Sequence, residues 1–457
     1  MAVLAIDIGT TKICALVMDE ESGEILETRS ENNGFLFSVH PWERNQDSEH
    51  IFNIVQALIS ELLKKYRTFR CIGVTGQMHG ILYIDSAGRA VSPLYTWQDT
   101  SASLAMENGE SYAGYLAKLS PGPIAPGYGL ATCFYHHTVR QIPPEAVKIC
   151  TIGDYIVMRL CSSAMPFMHV TNAGGIGFFD LRRSVFDQNS LSLAGLDSSL
   201  LPGVVCDEAL VGKTVEGIPV SVSIGDNQAS FLGSVQNSKE SILINIGTGS
   251  QISLLSSGGI YPESLELRPF FEDRFLLVGA SLCGGRAYAI LEGFFRQVLH
   301  MAGFPGSRPL YDVMDAAADA FVEKPGESLL TVNTLFAGSR TEPSARGSIQ
   351  GITENNFTPA NLVTGFLNGI VCELYDLYMF LKKKENNNHK RLIGAGNGIR
   401  KSRPLMRLLS EKFNMPLEIP MYEEEAAYGA ALFALTGIGY FNNISQAQSL
   451  VRYQGKK

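Results

Sequence analysis

The chain has 457 residues, 45% hydrophobic and 18% charged, enough apolar material for two or three domains with cores of their own. That excludes disorder as the main state. The net charge of −8 argues against a nucleic-acid partner, whose footprint would be a basic patch, but a few local donors still suffice to bind a nucleotide phosphate.

The N-terminal run Met1 to Asp7 has no basic segment, so no signal peptide is expected. Residues 4–11 then read Leu-Ala-Ile-Asp-Ile-Gly-Thr-Thr, and residues 242–249 read Ile-Leu-Ile-Asn-Ile-Gly-Thr-Gly. A second apolar run follows each, at 13–18 and 252–255. Both copies predict a strand, a tight Gly-Thr turn and a return strand. They lie about half the chain apart, too far for a solenoid repeat, and point to two large lobes, residues 1–238 and 239–457.

Between the hairpins, residues 51–65 carry a helical apolar stripe. Strands are predicted at 71–75, 80–84 and 220–224. Residues 100–240 otherwise look Gly/Pro-rich and irregular, like insertions that shape a pocket. In the second half, helices are predicted at 361–384, 404–413 and 423–435, with a strand at 391–393. This alternation predicts an α/β fold. Residues 241–262 lack charge but are broken by Gly and Ser, so no membrane helix is expected. The end at Lys456 and Lys457 is expected to fray. None of the eight cysteines forms a CxxC pair, which reads as reduced thiols in a cytoplasmic protein rather than as disulfides or a zinc site.

Several constellations carry chemistry, and each also has a plain structural reading. Asp7 precedes Gly9-Thr10-Thr11-Lys12, where turn N–H groups, two hydroxyls and an ammonium suit phosphate oxygens and the carboxylate suits Mg²⁺; the alternative is an ordinary turn. Gly247-Thr248-Gly249 is the matching loop. Gly394-Ala395-Gly396-Asn397-Gly398 follows a strand and lets backbone approach a planar ligand. It is not a GxGxxG fingerprint, because position 399 is Ile, and no P-loop exists at Gly212-Lys213-Thr214, because position 207 is Asp. Gly225-Asp226-Asn227-Gln228 follows a predicted strand, a good place for a catalytic base, although an Asx-turn explains it too. Gly76-Gln77-Met78-His79-Gly80 and Tyr95-Thr96-Trp97-Gln98-Asp99 offer an aromatic plane and polar groups for sugar hydroxyls, or simply core packing.

In order and spacing, these segments resemble the FGGY carbohydrate kinases. Further carriers are Arg340-Thr341-Glu342-Pro343-Ser344-Ala345-Arg346-Gly347 and Glu424-Glu425-Ala426-Ala427-Tyr428-Gly429-Ala430-Ala431. The resemblance covers about residues 4–435. It implies the two-lobed actin/Hsp70/hexokinase-like (ribonuclease H-like) ATPase fold with an interlobe cleft, the first lobe binding sugar and the second nucleotide. It also implies ATP and Mg²⁺ as cofactors and a small-molecule sugar as substrate, with no nucleic acid and no membrane. A homodimer is kept open. By this resemblance Asp226 is the catalytic base, and Asp7 with Asp226 lies at the metal. Thr10, Thr11, Lys12, Gly247, Thr248, Gly249, Gly284, Gly396 and Asn397 face the nucleotide. Gln77, Met78, His79, Trp97, Asp99 and Asn227 face the sugar. Two departures stand out: Cys14 occupies a position where the family often has a basic residue, with Lys12 nearby, and Ala395 occupies one where glycine is usual. Within the family, the segments Gly76–Gly80, Thr96–Asp99, Tyr128-Gly129-Leu130-Ala131-Thr132, Asp154–Val157 and Gly225–Ser230 are most similar to kinases of the seven-carbon ketose sedoheptulose, with kinases of five-carbon xylulose next. An ATP-gated binding module is the reading from another class.

Overall fold

The computed structural model describes residues 1–35, 38–259, 265–304, 306, 308–321, 328–338, 342, 344–384 and 389–455. Arg340, Thr341 and Pro343 of the motif above, and Lys456 and Lys457, lie outside the described residues. The chain forms two compact units. The first comprises residues 1–236, 268–275 and 424–451, and the second residues 237–267, 276–423 and 452–457. Neither is a single stretch, because the chain returns to the first unit twice. Among the described residues, no helix is long and apolar enough to cross a membrane.

The first unit is built on a seven-stranded sheet. The predicted hairpin forms from Ala2–Ile8 and Lys12–Asp19, paired antiparallel with Asp7 opposite Cys14. Ala2–Ile8 also pairs in parallel with Ile72–Gly76, placing Asp7 beside Thr75. The predicted strand at 220–224 is broken instead into Pro219–Ser221 and Ile224–Gly225, and both pieces run parallel to Ile72–Gly76. The predicted helix becomes Ser48–Tyr66, capped by Asp47, whose carboxylate accepts from the N–H groups of Glu49 and His50; such caps stabilise helix starts by roughly 1 kcal/mol.

Residues 100–240 are not irregular insertions. They hold helices Gly129–Thr138, Ile152–Leu160, Val170–Ile176 and Asp226–Ser234. Much of the segment packs a core of its own around buried Tyr83, Leu130, Phe134, Met168, Ile176 and Phe178. Each helix has ten residues or fewer, so apolar periodicity has little length in which to show.

The second unit repeats the plan. Ser241–Ile246 and Ser250–Ser256 form its hairpin, and Arg391–Ala395 runs parallel to the first of these strands. Helices Gly284–Met301, Pro359–Lys384 and Arg403–Phe413 accompany this sheet. Its core joins Ile242, Ile244, Leu277, Leu291, Phe366 and Leu374.

Candidate functional site

In the first unit three parallel strands end side by side, and ligands of open α/β sheets gather outside such carboxyl ends. Asp7 is the penultimate residue of Ala2–Ile8. Asp226 follows the strand Ile224–Gly225 and opens the helix Asp226–Ser234. Burial pushes Asp226 up to about 6, offset in part by the nearby Arg268 charge and by the backbone N–H groups at the helix start. Burial, then the Asp226 and Glu424 charges, push Asp7 up to about 7, with Lys12 acting the other way. Asp7 Oδ1 is buried and accepts no hydrogen bond from any described residue, and the same holds for Asn227 Oδ1. Two half-buried carboxylates, Asp7 with an unmatched buried oxygen, are a donor set suited to a divalent cation, which favours hard oxygen ligands; Asp7 and Asp226 therefore fit Mg²⁺.

Beside them stands a closed set of hydrogen bonds. Trp97 Nε1–H donates to Thr10 Oγ1 (2.9 Å), whose hydroxyl donates to Gln77 Oε1 (3.4 Å). Gln77 Nε2–H donates to Gln46 Oε1 (2.8 Å), and Gln46 Nε2–H donates to the Thr10 carbonyl (2.8 Å). Trp97 is 46% exposed despite this anchor, and a fixed, open indole face suits stacking against the C–H face of a sugar. Thr10, assigned by resemblance to the nucleotide, is thus tied to Gln77 and Trp97, assigned to the sugar. His79 adopts φ 74°, stacks on Tyr128 with centroids 4.6 Å apart, and sets Nδ1 2.5 Å from the Gly175 carbonyl. A carbonyl only accepts, so Nδ1 carries a proton. Met78 is buried against Gly225, where a Cβ would come within 2.6 Å of its sulfur. Asp99 is buried, and Oδ1 accepts from the Ser101 N–H and hydroxyl, so much of its capacity goes to holding its own turn. Lys12 Nζ pairs with Glu424 Oε1 at 2.6 Å, while Thr11 is exposed in the turn.

In the second unit, glycine-rich turns converge on one cavity of ≈ 620 Å³. The Gly247–Gly249 turn closes with Gly247 N–H on the Gly249 carbonyl. The start of the helix Gly284–Met301 docks on it through the N–H groups of Gly285 and Arg286, which donate to the carbonyls of Gly247 and Thr248. A Cβ at Gly284 would lie 2.6 Å from Gly249 backbone, and one at Gly285 would lie 2.3 Å from the Gly247 carbonyl. Only glycines permit this approach, which braces the turn against the start of a helix. Gly396 has φ 83°, and its Cβ would lie 2.5 Å from Asn245 Oδ1. Thr248, Arg286, Asn397 and Gly398 line the cavity with Leu367, Ile370, Leu405, Tyr288 and Tyr311. A lining that combines polar turns with apolar walls suits a nucleotide's phosphates and base.

Sequence reading missed Glu424 as a site residue, and it missed Gln46 and Arg268 entirely. Glu424 meets Lys12 across 412 positions. Arg268 reaches Asp226 because the chain returns to the first unit at residues 268–275. Local patterns carry no sign of such contacts.

The N-terminal domain model of the FGGY family of carbohydrate kinases matches residues 2–233, and the family's C-terminal domain model matches residues 244–438. The chain belongs to that family: it is a carbohydrate kinase, a phosphotransferase that takes ATP and a small-molecule sugar. A sedoheptulokinase of Mus musculus is 27% identical over 94% of this chain and 97% of its own length. A xylulose kinase of Staphylococcus epidermidis is 25% identical over 97% of this chain and 89% of its own. Among solved structures, a ligand-bound xylulose kinase of Lactobacillus acidophilus superposes with a TM-score of 0.85 at 20% identity, covering 99% of this chain and 92% of that one. The fold is that of the actin/Hsp70-like ATPases.

Proposed function

We propose that the chain transfers the γ-phosphoryl group of ATP to the terminal primary hydroxyl of a ketose, with sedoheptulose as the preferred acceptor and sedoheptulose 7-phosphate as the product. The observation that carries the chemistry is the half-buried Asp226, its carboxyl raised by desolvation, at the end of a parallel strand. Asp226 accepts the hydroxyl proton as the sugar oxygen attacks phosphorus. Gln77, His79 and Asn227 hold neighbouring hydroxyls, and the Trp97 indole covers the sugar's apolar face. The Gly247–Gly249 turn with the Thr248 hydroxyl, braced by the start of the helix Gly284–Met301, holds the phosphates. Asp7 and Asp226 would hold Mg²⁺, which supplies charge neutralisation for the transferring group.

Similarity to sedoheptulokinases over nearly the whole chain supports the seven-carbon acceptor. Xylulose is the second reading, supported by xylulose kinases of only slightly lower identity. A coupled ADP-release assay across sedoheptulose, xylulose, ribulose, glycerol and fuculose tests both. The expected result is a kcat/KM for sedoheptulose at least about tenfold above that for xylulose, because a pocket that hydrogen-bonds extra hydroxyls is left with unpaired polar groups when they are missing. Equal or reversed values would move the assignment to the five-carbon ketose. ADP release at an undiminished rate without any sugar would point to an ATP-gated binding module.

The Trp97 assignment has its own consequence. Trp97→Ala is expected to raise the KM for the ketose about tenfold, from loss of roughly 1–2 kcal/mol of stacking, and to leave the KM for ATP unchanged. Steady-state kinetics with each substrate varied in turn decide it, and equal effects on both constants would remove Trp97 from the sugar site.

A further inference from the structure

Behind Asp226 lies a set of buried polar side chains that neither substrate needs to touch. The three residues leading into Asp226 are each gripped by a different side chain. Asn172 Nδ2–H donates to the Ser223 carbonyl (3.2 Å). The Thr75 hydroxyl donates to the Ile224 carbonyl (2.8 Å). The Gly225 N–H donates to Thr171 Oγ1 (3.0 Å). Thr75 and Thr171 are fully buried and Asn172 nearly so.

The grip on Gly225 is itself oriented. Thr171 Oγ1 lies 2.8 Å from His169 Nδ1, which also accepts the Thr171 N–H at 3.2 Å. His169 is fully buried, and burial lowers it to about 3, so its ring is neutral; because Nδ1 accepts the Thr171 N–H, the ring proton sits on Nε2, which has no hydrogen-bond partner among the described residues. The Thr171 hydroxyl therefore spends its proton on His169 and presents lone pairs to the Gly225 N–H. Asn172 adds a longer contact to Asp154 Oδ1 (3.4 Å), while Asp154 Oδ2 accepts from the Thr151 N–H and hydroxyl in the capping box of the helix Ile152–Leu160. The strand end is thus referred to a helix cap and to a second helix start, both inside the first unit.

We propose that Thr171, with Thr75 and Asn172 beside it, is a positioning residue for the phosphoryl-transfer reaction: it fixes the backbone at Gly225 so that Asp226 is delivered at the place where the acceptor hydroxyl must lose its proton. This rests on the assignment of Asp226 as the base. Such a clamp is needed because Gly225 has no side chain to wedge it. Packing by Met78 Sδ and Gln228 Oε1, 2.6 and 2.7 Å from where a Cβ would stand, closes the space beside Gly225, and the hydrogen bonds add a fixed direction for its backbone. The catalytic consequence follows from distance, because a displacement of about 1 Å at a reacting group can cost about 10²-fold in rate.

The test compares Thr171→Val, which keeps the shape and removes the acceptor, with Thr171→Ser, which keeps the hydroxyl. Thr75→Val probes the neighbouring grip and serves if Thr171→Val fails to accumulate as folded protein. Asp226→Asn is measured alongside. The expected result is a kcat reduced about 10- to 100-fold in Thr171→Val and in Thr75→Val. The KM values for sugar and ATP stay within about threefold of the parent, and at least half of kcat is recovered in Thr171→Ser. A purely structural role predicts instead a lower melting temperature with kcat unchanged in the folded fraction, and that outcome overturns the proposal. So does full kcat in Thr171→Val and Thr75→Val while Asp226→Asn is inactive. An active Asp226→Asn would overturn the base assignment itself, and the two failures are therefore distinguishable.

Discussion

Asp226→Asn is expected to lower kcat by about 10²–10⁴, the range over which a positioned general base operates, while the sugar still binds with near-parental affinity by isothermal titration. Asparagine keeps the shape and the helix-start position but cannot take a proton. The pH dependence carries a second signature. Burial raises Asp226 from 3.8 to about 6 in the metal-free protein, and a base works only when deprotonated, so kcat/KM for the sugar should fall at acid pH, below about 6 where a bound cation stabilises the carboxylate. Stability moves the opposite way. Because the folded carboxyl holds its proton more tightly than the unfolded chain does, the native state carries more protons between about pH 4 and 6, and this group's contribution to stability declines as pH rises across that window. Asp7, raised to about 7, extends the same trend upward. Activity that rises from acid pH while the metal-free melting temperature drifts down fits two half-buried carboxylates kept for chemistry. Near-parental turnover in Asp226→Asn would remove Asp226 from the role.

The parts of this site that could be read from the sequence are those in which chemistry and local structure share a short segment. Asp7 with its Gly-Thr turn, the matching turn at Gly247, and Asp226 after Gly225 each announce themselves within five residues, and repetition of the first motif half a chain away exposes the two-part plan. The hairpins form where near-continuous apolar runs flank a Gly-Thr turn, and their strands are buried along most of their length. What stayed hidden is held by long-range contacts. Thr75 meets Ile224 across 149 positions and Thr171 meets Gly225 across 54; neither threonine differs locally from any other buried hydroxyl. Glu424 was visible as part of a family motif, yet its pairing with Lys12 exists only because the last long helix returns to the first unit. The helices between residues 100 and 240 were lost for another reason: they are short and glycine-containing, as in Val170–Ile176 with Gly174 and Gly175, and local propensity is weak where tertiary packing decides.

That returning helix, Glu425–Gly437, supports the second large expectation, which concerns stability. It crosses Asp226–Ser234 with backbone against backbone. A Cβ at Gly429 would sit 1.9 Å from the Ala229 carbonyl oxygen, and one at Gly233 would sit 2.0 Å from the Glu425 carbonyl oxygen. On its other side a Cβ at Gly73 would lie 2.1 Å from the Ala430 carbonyl oxygen. These are main-chain atoms, which cannot swing aside as a side-chain tip can, so a single methyl group must push whole elements apart. Gly429→Ala is therefore expected to destabilise the first unit by about 3 kcal/mol, the upper part of the usual overpacking range, although alanine is the better helix former by about 1 kcal/mol. Gly293, in the helix Gly284–Met301 of the second unit, has no atom within 4 Å of its Cβ position, and Gly293→Ala should stabilise by roughly 0.5–1 kcal/mol. One substitution in two helices with opposite signs separates close approach from helix propensity, and thermal melts of the two variants measure it. The consequence reaches function, since one of the crossed helices begins with Asp226 and the other is preceded by Glu424. Gly429→Ala should therefore lose turnover even at temperatures where it remains folded. Parental stability and turnover in that variant would show that the crossing has room to give, and that the spacing of the carboxylates is set elsewhere.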